Sequence, residues 1–170
     1  MKPAALSLAQ ACAVLAEHLS PLPIEHVPLT KALGRVSAAA IPADRPSPAF
    51  AQSTRDGFAV AAQPLVVEQG AAIFQVIGEI AAGCCEEKTL ASGQAVRIMT
   101  GAPLPPGTDA VIPVEDTDSN WRAGADDALP DLVQFFRSVQ VGDYVRPAGE
   151  NVRRGQTVLR AGTVIRPQDI

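Results

Sequence analysis

The chain opens with hydrophobic residues at helical spacing. Four of them lie on one face of a helix: Leu8, Cys12, Leu15 and Leu19. Ser7 precedes them and is a good N-cap, so the pattern predicts a helix over 8–19. Shorter elements are predicted to follow: a strand over 24–27, a helix over 31–33 and an extended segment over 36–41.

Beyond a proline-rich segment, the pattern changes to strand-like runs. Residues 42–48 contain three prolines, which is typical of a linker or a rigid crossover. Strand-like segments follow, separated by Gly or Pro: 58–60, 72–77, 95–99, 110–114, 156–159 and 163–165. The 170 residues include 15 prolines, and proline is confined to edges, turns and first helical turns. We therefore predict many short elements joined by many turns.

Composition and charge narrow the class of protein. Hydrophobic residues make up 47% of the chain and charged residues 19%, which is typical of a soluble globular protein. A net charge of −4 and few aromatic residues argue against nucleic-acid binding. We expect no membrane span, because no apolar run approaches about 20 residues. The three cysteines do not form a disulfide framework and no signal peptide is visible, so we expect a cytoplasmic protein.

Two polar positions allow both a structural and a functional interpretation. Asp56 and Gly57 lie between strand-like segments, where a hairpin turn is the simpler interpretation. Thr100 follows a predicted strand and precedes Gly101. Its hydroxyl could bind an oxyanion or could simply satisfy a nearby backbone group.

Neither charged clusters nor known motifs identify a catalytic site in this sequence. Arg146, Arg153 and Arg154 could grip an anion such as phosphate or molybdate, although a solvated face is more common. The chain contains no Walker loop, no dinucleotide-binding glycine motif, no metalloprotease motif and no C-x-x-C pair. Local patterns alone therefore define no self-contained catalytic site.

Four sequence blocks taken together resemble the MoeA family, which includes the E domain of gephyrin. They are PAFAQSTRDGFAV at 48–60, RIMTGAPLP at 97–105, GTDAVIPVED at 107–116 and GENV at 149–152. The block at 97–105 is long and unusual, so the resemblance is specific, and it extends over essentially the whole chain. It implies an α+β, mostly β fold with bent, bifurcated sheets and a short helical N-terminal part.

The resemblance also implies a domain organisation. Residues 1–45 plus 144–170 would form an elongated domain I, and 46–143 an inserted β domain II. In the family the active site lies at a homodimer interface, and a pterin-binding α/β domain follows this region. Because this chain ends at Ile170, we expect it to be inactive alone, as a truncated piece or a natural short paralogue.

The family's reaction inserts molybdate into adenylylated molybdopterin with Mg²⁺, and this resemblance implies a role for particular residues. Asp56 and Thr100 would be catalytic, and Asp56 would hold the Mg²⁺. Ser53, Gly101 and Glu150 would join Thr100 in binding substrate or anion. A homodimer is expected, and molybdopterin adenylyltransferase is a candidate partner.

Four of the chain's departures from the family pattern bear on metal handling. The usual F-D-N-S-A-M-D-G-Y reads here as F-A-Q-S-T-R-D-G-F, with Ala51, Gln52 and Arg55 in place of Asp, Asn and Met. The usual G-E-D ends in Asn151 instead of an acid. Because these changes remove two carboxylates, they leave open the alternative of a non-catalytic dimerisation or docking module derived from the family.

Overall fold

A computed structural model describes residues 5–62, 71–84, 88–119, 121 and 128–170. Over these residues the chain forms one α-helix, α1 (Leu8–His18), and short 3-10 turns at Leu29–Lys31, Val114–Asp116 and Pro167–Asp169. The strands are β1 (Ile41–Pro42), β2 (Gln52–Ser53), β3 (Gly57–Val60), β4 (Ala72–Ile80), β5 (Gln94–Ile98), β6 (Ala110–Pro113), β7 (Leu132–Phe135), β8 (Val145–Arg146) and β9 (Thr157–Leu159). The fold is therefore α+β and mostly β, as expected.

The chain divides into two compact units, Met1–Ala40 with Leu159–Ile170, and Ile41–Val158. The predicted division into 1–45 plus 144–170 and 46–143 refers to the family's own domains and stays a prediction. In both descriptions the two ends of the chain belong to one unit and the β-rich middle of the sequence to the other.

The first unit contains α1 and a short antiparallel contact between the two ends of the chain. Ser7 caps α1 as predicted, because its side chain accepts a bond from the Gln10 amide at 3.3 Å and Gln10 bonds back to its amide. The predicted strand over 24–27 does not form. The predicted extended segments at 36–41 and 163–165 contribute one isolated bridge, between Val36 and Val164. In the part of the chain that the structure describes, no helix is both long and apolar enough to cross a membrane.

The second unit is built around a five-stranded sheet in the order β6-β3-β5-β4-β7. β3 is antiparallel to both β5 and β6, whereas β4 runs parallel to β5 and antiparallel to β7. Buried apolar side chains cover both faces of this sheet. On one face the rings of Phe58 and Phe74 pack against Phe135, with centroids 6.0 and 5.1 Å from its own. This buried centre stabilises β3 and β5, whose ends carry the predicted site residues.

A partly buried ion pair joins the parallel strands β4 and β5. Arg97 is opposite Glu79 in the register, just after the irregularity in β4, and its guanidinium bonds to the Glu79 carboxylate. The same guanidinium lies 4.9 Å from the centre of the Trp121 ring. The Glu79 carboxylate and the Trp121 ring together stabilise the charge of Arg97, which would otherwise be costly to bury.

Two small sheets complete the second unit. β1 pairs with β9, and β2 pairs with β8 in antiparallel fashion, with Gln52 opposite Arg146 and Ser53 opposite Val145. The pairing of β2 with β8 matters most for the site. It attaches the segment that leads into Asp56 to the segment that leads into Glu150.

Candidate functional site

Asp56 and Gly57 do not form a hairpin turn, so the local interpretation of this pair is wrong. Gly57 is the first residue of β3 and pairs with Ile98 on one side and Pro113 on the other. Its φ is not in the positive range, and a Cβ added there would lie 2.0 Å from the carbonyl oxygen of Ile112. A glycine is needed because the backbone of β6 approaches so closely. Asp56 therefore stands at the fixed beginning of a central strand.

Asp56 and Thr100 are bonded to each other. The Thr100 amide donates to Asp56 Oδ1 at 2.7 Å, and the Thr100 hydroxyl donates to the same oxygen at 2.8 Å. The antiparallel pairing explains the contact, because the first residue of β3, Gly57, lies opposite the last residue of β5, Ile98. Hydrogen bonds to an ionised carboxylate are stronger than neutral ones. Two residues 44 positions apart thus form one exposed polar unit.

This geometry determines which atoms of Asp56 and Thr100 can contact a ligand. Both bonds reach Oδ1, so Oδ2 is the Asp56 oxygen that can meet a cation or a ligand. The Thr100 hydroxyl proton is directed at Asp56, and the hydroxyl must rotate to donate to an incoming oxyanion. Thr100 is exposed and Asp56 is half-buried, so a solute can reach the pair.

Gly101 occupies the turn that follows β5. Its φ is +83°, a conformation that favours glycine, and a Cβ there would meet no atom within 4 Å. Its amide donates to the carbonyl of Ser53 at 2.9 Å. The glycine is therefore needed for the turn's backbone angle, and its amide already has a partner.

Ser53 lies next to this pair but inside the protein. Its hydroxyl donates to the carbonyl of Arg55 at 2.5 Å and accepts from the Arg55 amide at 3.1 Å. Only 1% of the residue is exposed. The structure brings Ser53, Asp56, Thr100 and Gly101 together, with the Ser53 hydroxyl committed to its own turn.

Glu150 is placed differently from the other predicted residues. Its carboxylate lies 2.8 Å from Nε of Arg146 in β8, and about half of each side chain is exposed. It is connected to the Asp56 segment through the pairing of β8 with β2. Arg146 is thus neutralised by Glu150, whereas Arg153 and Arg154 are exposed on the following turn.

Tyr144 was not predicted from the sequence, although its backbone carbonyl binds the turn that precedes Asp56. It accepts the Thr54 amide at 2.9 Å and the Thr54 hydroxyl at 3.0 Å. Its φ of +55° is rare for a residue with a side chain. The neighbouring Gly142 and Asp143 signal a turn, but no local pattern shows that the turn reaches Thr54.

A magnesium ion would find one carboxylate ligand at this site. Among the residues that the structure describes, no three His, Cys, Asp or Glu side chains gather in a way that could hold a metal. Mg²⁺ usually keeps several waters and uses one or two carboxylates plus substrate phosphates. Asp56 fits that mode as a single ligand. Ala51 and Asn151, which stand where the family has acids, add no charge.

Known proteins match this chain over most of its length. The family model described as the MoeA N-terminal region (domain I and II) matches residues 6–170. A molybdopterin molybdenumtransferase from Bacillus subtilis is 39% identical over 145 residues, covering 84% of this chain and 33% of the relative. Molybdopterin molybdenumtransferase 2 from Mycobacterium tuberculosis is 36% identical over 143 residues, covering 83% and 33%.

Solved structures agree with the sequence relatives. A crystal structure of a molybdopterin biosynthesis moeA protein from Pyrococcus horikoshii superposes with a TM-score of 0.81 at 28% identity, covering 96% of this chain and 40% of that one. The chain therefore belongs to the MoeA family and corresponds to its N-terminal region. It spans about a third of the length of the curated relatives it matches.

Proposed function

We propose that this chain supplies the Asp56 and Thr100 part of the active site of a molybdopterin molybdenumtransferase. In that reaction molybdate is inserted into adenylylated molybdopterin and AMP is released. The observation that carries the proposal is the double hydrogen bond between Thr100 and Asp56 Oδ1 at 2.7 and 2.8 Å. The family match and the names of the relatives support it.

The chemistry of the pair suits an anionic substrate with a cation. Asp56 repels a bare anion, but its Oδ2 would hold a magnesium ion, which would supply the positive charge that phosphate or molybdate requires. Thr100 would offer a hydroxyl donor to the same oxyanion. The pair thus combines a negative group for the metal with a neutral donor for the oxyanion. Magnesium and the substrates are part of the proposal.

The proposal also includes the location of the chain in the cell and its partners. We infer that the chain acts in the cytoplasm as part of a homodimer, with molybdopterin adenylyltransferase as a candidate partner that supplies the adenylylated substrate. Within this proposal the chain is inactive alone, because the pterin-binding domain of the family follows the region that these residues match. Glu150 stays a proposed substrate-side group through its link to β2.

A second candidate function is a docking module without catalysis. The apolar face of α1 favours it, because Leu8 is 82% exposed and Leu19 is 72% exposed, and no residue of α1 is buried. An exposed row of leucines is a surface suited to a protein partner. The substitutions at Ala51 and Asn151 point in the same direction, since they replace two acids of the family pattern.

Genetic complementation separates the two functions. The chain would be expressed in bacteria that lack their molybdopterin molybdenumtransferase, alone and fused to the C-terminal two-thirds of the Bacillus subtilis relative. We expect the fusion, and not the chain alone, to restore a molybdenum-dependent enzyme. Asp56→Asn in the fusion should abolish the rescue, whereas Arg160→Ala, at an exposed arginine outside the site, should leave it unchanged. Full rescue by Asp56→Asn, at equal protein level, would favour the docking module.

A further inference from the structure

Ser53 joins the two turns that carry the Asp56 and Thr100 pair. One turn, 53–56, leads into β3, and the other, 99–102, follows β5. We propose that Ser53 is a positioning residue, whose hydroxyl shapes the first turn while its backbone anchors the second. This inference rests on the proposed function, in which Asp56 and Thr100 meet the substrate. It changes the expected role of Ser53 from binding an anion to holding the groups that do.

The hydroxyl of Ser53 has no proton to offer a ligand. A serine hydroxyl has one donor and two acceptor sites. The donor is used by the Arg55 carbonyl at 2.5 Å, and one acceptor by the Arg55 amide at 3.1 Å. Binding an anion would require that donor and a path to it, but the residue is almost completely buried. The hydroxyl instead folds residues 53–55 into a tight turn directly before Asp56.

The backbone of Ser53 makes the connection to the second turn. Its amide donates to the carbonyl of Ala102 at 3.0 Å, and its carbonyl accepts the amide of Gly101 at 2.9 Å. The bonds close a ring that runs from Ser53 through Arg55 and Asp56 to Thr100 and back through Gly101. A shift of the first turn must therefore change the distance between the Asp56 carboxylate and Thr100.

The two functions of Ser53 can be separated experimentally, because only one uses its side chain. Ser53→Ala removes both hydroxyl bonds and leaves the backbone bonds to Gly101 and Ala102. The Tyr144 carbonyl still holds Thr54 from the other side, so the turn should loosen rather than unfold. The expected result is a selective weakening of the bonds between Thr100 and Asp56.

Amide hydrogen exchange followed by NMR on the chain tests this directly. In Ser53→Ala we expect the Thr100 amide to exchange about fivefold faster or more, which is the effect of weakening one ordinary hydrogen bond. The Gly101 amide should stay within about twofold, because its backbone bond is retained. Ser53→Cys, whose thiol is a weak donor and acceptor, should give an intermediate result.

Ser37 provides the matched control. Its hydroxyl is also buried and donates to the carbonyl two residues on, that of Ala39, at 2.6 Å, but it lies in the other unit. Ser37→Ala should leave the exchange of Thr100 unchanged. If Ser53→Ala instead accelerates exchange of the Gly101 amide as much as that of the Thr100 amide, Ser53 is a general stabilising residue and the inference is overturned.

A titration with sodium molybdate in the presence of magnesium distinguishes this inference from the proposed function. If Ser53→Ala weakens molybdate binding while the exchange of the Thr100 amide stays unchanged, the hydroxyl contacts the anion itself and the positioning role is overturned. If the unaltered chain binds no molybdate, the proposed function fails. The exchange data of Ser53→Ala still decide whether the residue positions the pair, because they need no ligand.

Discussion

Gly57 has no room for a side chain beside β6, and replacing this residue tests the account of how Asp56 is held. In Gly57→Ala the new methyl would lie 2.0 Å from the Ile112 carbonyl oxygen and 2.9 Å from its carbon. Both atoms belong to the backbone of β6, so no side-chain rotation relieves the contact. The strands β3 and β6 must separate at the point where Gly57 faces Pro113 and Phe58 faces Ile112.

The magnitude follows from two contributions. Forcing an extra methyl into a packed interior costs about 1–3 kcal/mol. Separating the strands also weakens ladder hydrogen bonds, each worth about 1 kcal/mol. We expect Gly57→Ala to lower the free energy of unfolding by about 3 kcal/mol or more. With a urea slope of about 2 kcal/mol/M, the unfolding midpoint falls by about 1.5 M.

Gly93 is the matched control for this experiment. It has a φ of +77°, and a Cβ there meets no atom within 4 Å, so Gly93→Ala tests backbone strain without a clash. That strain costs about 1–2 kcal/mol. Urea unfolding of both variants, monitored by Trp121 fluorescence, gives the comparison. The reasoning is refuted if Gly57→Ala is no less stable than Gly93→Ala.

Three further substitutions test the surrounding fold. Phe135→Ala, which empties a completely buried ring position, should cost about 3–5 kcal/mol in urea unfolding. Glu79→Gln should cost about 1–3 kcal/mol, because Arg97 keeps its buried position with a weaker partner, and an unchanged midpoint would contradict this. The hydrogen bonds from the Arg166 guanidinium and amide lower the pKa of Asp169. The stability from this pair is therefore present above the unfolded pKa of Asp169 and is lost as pH falls through its lower folded pKa. We expect the Asp169 amide to lose protection from hydrogen exchange in acid. Asp169→Asn should remove that pH dependence.

The strands of the central sheet were predictable because their hydrophobic runs are bounded by Gly and Pro. The predicted segments at 58–60, 72–77, 95–99 and 110–114 correspond to β3, β4, β5 and β6 with shifts of at most three residues at their ends. β7 (Leu132–Phe135), which follows an acidic segment, was not predicted. The strand predicted at 24–27 was wrong, since no strand among the described residues pairs with this segment.

The candidate site depends on contacts that local patterns do not reveal. Thr100 and Asp56 were singled out by the family's motifs, and their mutual bond follows from the antiparallel pairing of β3 with β5. The hairpin interpretation of Gly57 failed because the need for glycine comes from β6, more than 50 positions away. For the same reason Tyr144, which holds Thr54 over 90 positions, could not be found from the sequence.

The proposed role of Thr100 in holding an oxyanion is tested most directly by calorimetric titration of molybdate and of AMP, with magnesium, into the purified chain. Thr108 supplies the control, because its hydroxyl makes a local bond to Pro105 at 2.8 Å. We predict that Thr100→Ala lowers the affinity for the oxyanion about tenfold, the loss of one hydrogen bond to a charged group, and that Thr108→Ala binds like the unaltered chain. Equal binding by Thr100→Ala and the unaltered chain, or no binding by either folded protein, would contradict the account.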